Sequence, residues 1–180
     1  MKTTRARKLE MNPVSRIMAI LSFIVLLSVS WTTVSAQTGS VNFSGTWAFN
    51  ESKSTQSEGG FRFAPALLAV NHSGTNIDIE STSNGPNGEF KSNSKYTTDG
   101  KECSNTMFGD NIRKSLVTWS ADKKSLVFSH TMNFERDGQS MEMKSTETWK
   151  INESDKTLAI ESVFNTPNGE MRRTNVYDKK

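Results

Sequence analysis

Turn chemistry recurs along this chain at nearly even intervals, and that spacing constrains its fold more than any other feature. Ser73-Gly74-Thr75, Asn84-Gly85-Pro86-Asn87-Gly88, Thr98-Asp99-Gly100 and Gly109-Asp110-Asn111 are followed by Ala121-Asp122-Lys123-Lys124, Arg136-Asp137-Gly138, Asn152-Glu153-Ser154-Asp155 and Asn165-Thr166-Pro167-Asn168-Gly169. Gly, Asn and Asp tolerate the backbone angles of tight turns, and clusters of them punctuate strands. The segments between them read as strands over 66–72, 76–83, 89–97, 101–108, 112–120, 125–135, 139–151, 157–164 and 170–178, with a first strand over 43–49. No segment repeats apolar residues at helical spacing. Short turns make each strand antiparallel to its predecessor, so the predicted order is a simple meander.

Alternation assigns the faces. Leu126, Phe128, His130, Met132 and Phe134 share one side of the longest strand; Met141, Met143 and Trp149 share one side of the next; Leu158, Ile160 and Phe164 do so on the ninth. An open meander of this size would present unpaired backbone at two edges, and no helix is predicted to cover either face. The expected fold is therefore all-β: an antiparallel up-and-down meander closed into a barrel of about 8–10 strands, with the greasy faces inward. Ile79-Glu80-Ser81 through Pro86-Asn87-Gly88-Glu89-Phe90 is echoed 81 residues later by Ile160-Glu161-Ser162 through Pro167-Asn168-Gly169-Glu170-Met171, which reads as shared turn chemistry.

The first 36 residues stand apart. Lys2, Arg5, Arg7, Lys8 and Arg16 precede an unbroken run of apolar and small residues over 17–29, and small residues follow to Ala36. This is the pattern of a secretory signal peptide cleaved after Ala36, and the apolar run is short for a membrane span. Met1 and Met11 both serve as candidate starts. A short polar lead-in over 37–42 and one domain over 43–180 would remain, secreted or periplasmic, with no membrane span after cleavage. The leader holds five of the 22 Lys/Arg and one of the 19 Asp/Glu, leaving 17 and 18, a net charge of −1. Nothing in that balance points to nucleic acid. Cys103 has no partner for an internal disulfide and reads as a small strand residue. A monomer is expected.

Gly45-x-Trp47 on the first strand, followed by an antiparallel meander, resembles the lipocalin and fatty-acid-binding (calycin) superfamily. Thr174-Asn175-Val176-Tyr177-Asp178-Lys179 resembles the last strand of the intracellular fatty-acid-binding proteins, where an Arg and a Tyr two residues apart hold a lipid carboxylate. Tyr177 matches that Tyr; Asn175 stands at the Arg position, and Arg173 lies one inward step earlier. The segment over 50–64 is too short and polar for the two helices of that family, and reads as a loop, with or without a role as a lid. The whole also resembles secreted bacterial lipocalin-like proteins. The resemblance implies a lipocalin-like barrel that binds a small hydrophobic molecule.

Constellations for catalysis are missing from the sequence. His72 and His130 are the two histidines, no metal-ligand spacing occurs, and there is no nucleophile elbow or phosphate-cradling loop. No enzyme activity, cofactor or metal is expected. The expected activity is binding or transport of a small hydrophobic or amphipathic ligand inside the barrel. Phe90, Phe128, Met132, Met141, Met143 and Phe164 would supply apolar burial, and Arg173, Tyr177, Asn175 and His130 would orient the ligand. The alternative is a filled-core barrel acting through its surface as an envelope interaction or inhibitor-type module. Several residues carry two readings. His130 is a polar handle or a structural histidine bonded to a neighbouring strand. The methionines line a cavity or fill a core. Arg173 meets an anion, from a ligand or from an internal acid such as Glu147, or it stacks on Trp47 and plugs the barrel. Gly45 and Trp47 read mainly as closure residues, Gly45 by permitting close backbone approach and Trp47 by plugging the closed end.

Overall fold

The computed structural model describes residues 40–56, 64–107, 110–136, 138–166 and 169–180, and the proposed signal segment lies outside them. All ten strands seen among these residues belong to one antiparallel sheet within the compact unit Thr38–Lys180. They are β1 (Gly45–Gln56), β2 (Leu67–Ser73), β3 (Asn76–Gly85), β4 (Gly88–Thr97), β5 (Glu102–Thr106), β6 (Ile112–Trp119), β7 (Ser125–Arg136), β8 (Gln139–Asn152), β9 (Thr157–Thr166) and β10 (Gly169–Lys179). The turn glycines act as expected: Gly88 and Gly169, which open the second strands of the two echoed hairpins, have φ of +109° and +118°.

The order around the sheet is β4-β3-β2-β1-β10-β9-β8-β7-β6-β5. First and last strands therefore pair, Trp47 opposite Lys179 and Phe49 opposite Tyr177. The remaining seam lies between β4 and β5, which share no backbone ladder. Side chains bridge it. Asn105 accepts from the Lys95 N–H at 2.7 Å and donates to the Lys95 carbonyl at 3.0 Å, standing in for a paired peptide. Cys103, a partly buried β5 residue, accepts the Thr97 N–H at 3.2 Å. Arg113 of β6 reaches across to the Tyr96 hydroxyl of β4.

The first strand departs from expectation. It begins at Gly45 and continues through residues 50–56, which the sequence presents as loop. The six residues from Asn50 to Thr55 stand against only three on β10, Val176 to Thr174, so the strand is deeply bulged. Ser54 stitches the bulge, accepting the Val176 N–H at 2.9 Å and donating to the Asn50 carbonyl at 2.6 Å. Asn50 and Lys53 both hold Asp178, at 2.6 and 2.8 Å. Residues 57–63, the rest of the suggested lid, lie outside the described residues.

Large side chains fill one end of the barrel. Phe43, Trp47, Ile77, Val117, Leu126 and Leu158 are completely buried there, each contributing about 1.5–3 kcal/mol of burial. The Trp47 indole donates to the Phe43 carbonyl at 3.1 Å, and His72 stacks on Trp119 at 5.8 Å between centroids. Gly45 is needed at this end. Its φ is +148°, and a Cβ would lie 3.1 Å from the Lys179 side chain, whose ammonium sits 5.3 Å over the Trp47 ring. The cation on Trp47 is thus Lys179; Arg173 is six residues away along β10 and covers Phe164 at 5.2 Å instead.

Candidate functional site

The inward positions change character along the barrel axis. On β3 they run Ile77, Ile79, Ser81, Ser83, and on β4 Tyr96, Ser94, Ser92, Phe90, away from the filled end. On β8 and β9, Trp149 and Ile160 give way to Glu147 and Ser162, then Ser145 and Phe164. Small hydroxyl side chains leave space where isoleucines and tryptophans do not. The result is a cavity of about 700 Å³ inside the barrel, extending from Phe128, Trp149 and Ile160 toward the end formed by the β3–β4 and β9–β10 turns. A filled core, the alternative expectation, describes only the other end.

A charged cluster sits at the depth of this cavity. Glu147 extends from β8, opposite Phe128 on one side and Ser162 on the other, and Ser162 in turn lies opposite Arg173. The Trp149 indole donates to Glu147 Oε2 at 3.2 Å. His130 Nε2 approaches the same oxygen at 3.9 Å, an ion-pair distance when the imidazole is protonated and too long for a hydrogen bond. Burial by itself would raise the Glu147 pKa. The attraction of His130 and of the Arg113 guanidinium, with the indole N–H, outweighs it and holds the carboxyl down at about 2. Glu147 is therefore a carboxylate at neutral pH, held by the Arg113 guanidinium, and Arg173 lines the same cavity.

His130 is bonded to a neighbouring strand, as its structural reading expects, and it also lines the cavity. Its Nδ1 is 2.8 Å from Ser115 Oγ on β6, which fixes the ring. That leaves Nε2 directed toward Glu147, with no hydrogen-bond partner among the described residues. Ser115 is buried behind the imidazole and does not line the cavity, so this Ser–His–Glu series presents no nucleophile to it. Ser162 Oγ and Arg113 Nε are likewise buried without partners among the described residues. The Tyr177 hydroxyl is held in its neutral, donating form: burial raises its pKa strongly, the Glu147 charge adds to this and Arg173 opposes it. Burial likewise raises Tyr96 despite the opposing charge of Arg113.

Of the residues singled out from the sequence, Phe90, Phe128, His130, Met132, Met143, Phe164, Arg173, Asn175 and Tyr177 line the cavity together. Met141 does not. It pairs with Phe134 farther along the β7–β8 hairpin, past the end of the cavity wall at Met143. Arg113, Tyr96, Trp149 and the serines went unrecognised as site residues. Arg113 was hidden by an inverted pattern: on β6 the apolar Ile112 and Leu116 point outward, 54% and 40% exposed, while Arg113, Ser115 and Val117 point in. Period-two reading from the buried Val117 would have found it.

No protein-family model matches this chain, and no curated protein matches it. Among solved structures, the chain is similar to zebrafish ileal bile acid-binding protein complexed with cholic acid. The two are 17% identical, with a TM-score of 0.49 over 77% of this chain and 98% of the zebrafish chain.

Proposed function

We propose that this protein is a secreted or periplasmic, non-enzymatic carrier that reversibly binds a small amphipathic molecule inside its calycin-like barrel. The observation that carries this reading is the 700 Å³ cavity itself, with its apolar wall and a charged cluster at its depth. Ligand sites are commonly mostly apolar, with a few placed polar groups that set orientation. Phe128, Met132, Met143, Ile160 and Phe164 would take the apolar body, at about 25 cal/mol per Å² removed from water. Arg113 and Arg173 line the same cavity as Glu147, so guanidinium groups stand within it for an anionic or strongly polar end of a ligand.

Two measurements test this. The domain, purified and extracted with solvent, is expected to release a co-purified amphipath identifiable by mass spectrometry. It is also expected to bind 1-anilinonaphthalene-8-sulfonate with its native near-ultraviolet circular dichroism intact. Arg173→Ala should weaken the sulfonate by about tenfold, the loss of one charge-assisted contact. An empty extract together with no probe binding would sink the carrier reading; unchanged binding by Arg173→Ala would assign Arg173 to structure alone.

A further inference from the structure

The cavity is two-faced, and its faces differ in chemistry. Ser81 and Ser83 of β3 and Ser92 and Ser94 of β4 form one contiguous inner wall, Ser81 lying opposite Ser92 in register and Ser94 opposite Ile79. In the circular order β3 and β8 stand five strands apart in a ten-stranded ring, so this wall faces the one built by Met132, Met143, Phe164 and Met171 of β7 to β10. Alanine would open the same space without presenting a polar group that a bound ligand has to desolvate. Ser83 is buried, Ser81 and Ser94 are half-buried and Ser92 is exposed, so most of this wall is open to water until a ligand covers it, and the ligand must then answer the hydroxyls. Across the cavity, the Ser162 hydroxyl is buried with no partner among the described residues, a second donor and acceptor aimed into the same space.

From this we infer that the ligand is hydroxylated along one side: an amphipath whose hydroxyl or other hydrogen-bonding groups lie against the serine wall while its apolar side lies on the methionines and Phe164. The inference rests on the carrier reading above. A bare alkyl chain would cover the serine hydroxyls and leave them unpaired. Sites lined for hydrogen bonding discriminate most strongly against ligands that cannot return the bond.

The test uses two ligands that differ only in this respect, octadecanoate and threo-9,10-dihydroxyoctadecanoate, titrated by displacement of 1-anilinonaphthalene-8-sulfonate. The wild-type protein is expected to bind the diol at least about tenfold more tightly, despite its lower hydrophobicity. In the Ser81→Ala/Ser83→Ala/Ser92→Ala variant that preference should vanish or reverse, with octadecanoate gaining. Equal or tighter wild-type binding of octadecanoate overturns the inference and leaves the carrier reading standing, and so does a preference for the diol that survives the three substitutions. Failure of the wild type to bind the sulfonate or either acid overturns both. The wild-type ratio stands independently of whether the triple variant folds.

Discussion

Replacing Glu147 with Gln probes the electrostatics of the cavity directly. The variant keeps the shape and an acceptor for the Trp149 indole but removes the negative charge that His130 and Arg113 surround. A carboxyl lowered from 4.5 to about 2 corresponds to about 3 kcal/mol of preference for its ionised form in the folded protein. With its folded pKa below the unfolded one, the unfolded state binds more protons between these values. The contribution is therefore fully present above pH 4.5 and is lost as pH falls toward 2. Glu147→Gln is expected to be about 3 kcal/mol less stable than wild type at pH 7, and only about 1 kcal/mol less stable at pH 3. Urea denaturation followed by tryptophan fluorescence at both pH values measures the two gaps. Acid-sensitive groups that do not interact with Glu147 are common to both proteins and cancel in the difference. A gap that stays constant with pH, or a variant as stable as wild type at pH 7, would refute this account of Glu147.

Gly45→Ala should lower stability by about 1–2 kcal/mol in thermal melts, because φ is +148° and the new methyl meets the Lys179 stem at 3.1 Å. Asn105→Ala should cost about 1–3 kcal/mol and speed amide exchange at Lys95, since it removes the two Asn105–Lys95 bonds among those that bridge the β4–β5 seam; unchanged exchange would mean the seam does not depend on it. Desolvation lowers the pKa of His72 from 6.5, so its neutral form supports the filled end and that support declines as pH falls below about 6.5. His72→Gln should show a flatter stability profile through that range, measured by denaturant midpoint; an identical slope in both proteins would assign the acid sensitivity elsewhere.

Most of the strand pattern was legible because strands here obey local rules. Leu126, Phe128 and His130 alternate cleanly with polar neighbours, and turn residues mark the ends. Residues 50–56 carried no such signal. Their strand pairing depends on bonds from Ser54 to Val176 and from Asn50 to Asp178, more than 120 residues away in the chain. The candidate site was legible in part. Arg173, Asn175 and Tyr177 were visible as one face of the last strand, and His130 as a polar residue on an apolar one. Arg113 was not, since the apolar residues of its strand point to solvent.

What the sequence determined by itself was the set of strands, their antiparallel succession and the pairing of first with last. These follow from side-chain period and turn chemistry within a few residues, and from the need to remove sheet edges. Only the tertiary structure decided where the ring stays unzipped, which end is filled, and which cation covers Trp47. Those outcomes depend on register between distant strands, where each two-residue step carries a side chain to a different level of the barrel. Lys179 stacks on Trp47 and Arg173 reaches the cavity because β10 pairs with β1 and β9 in one particular register, and no local stretch of sequence encodes that alignment.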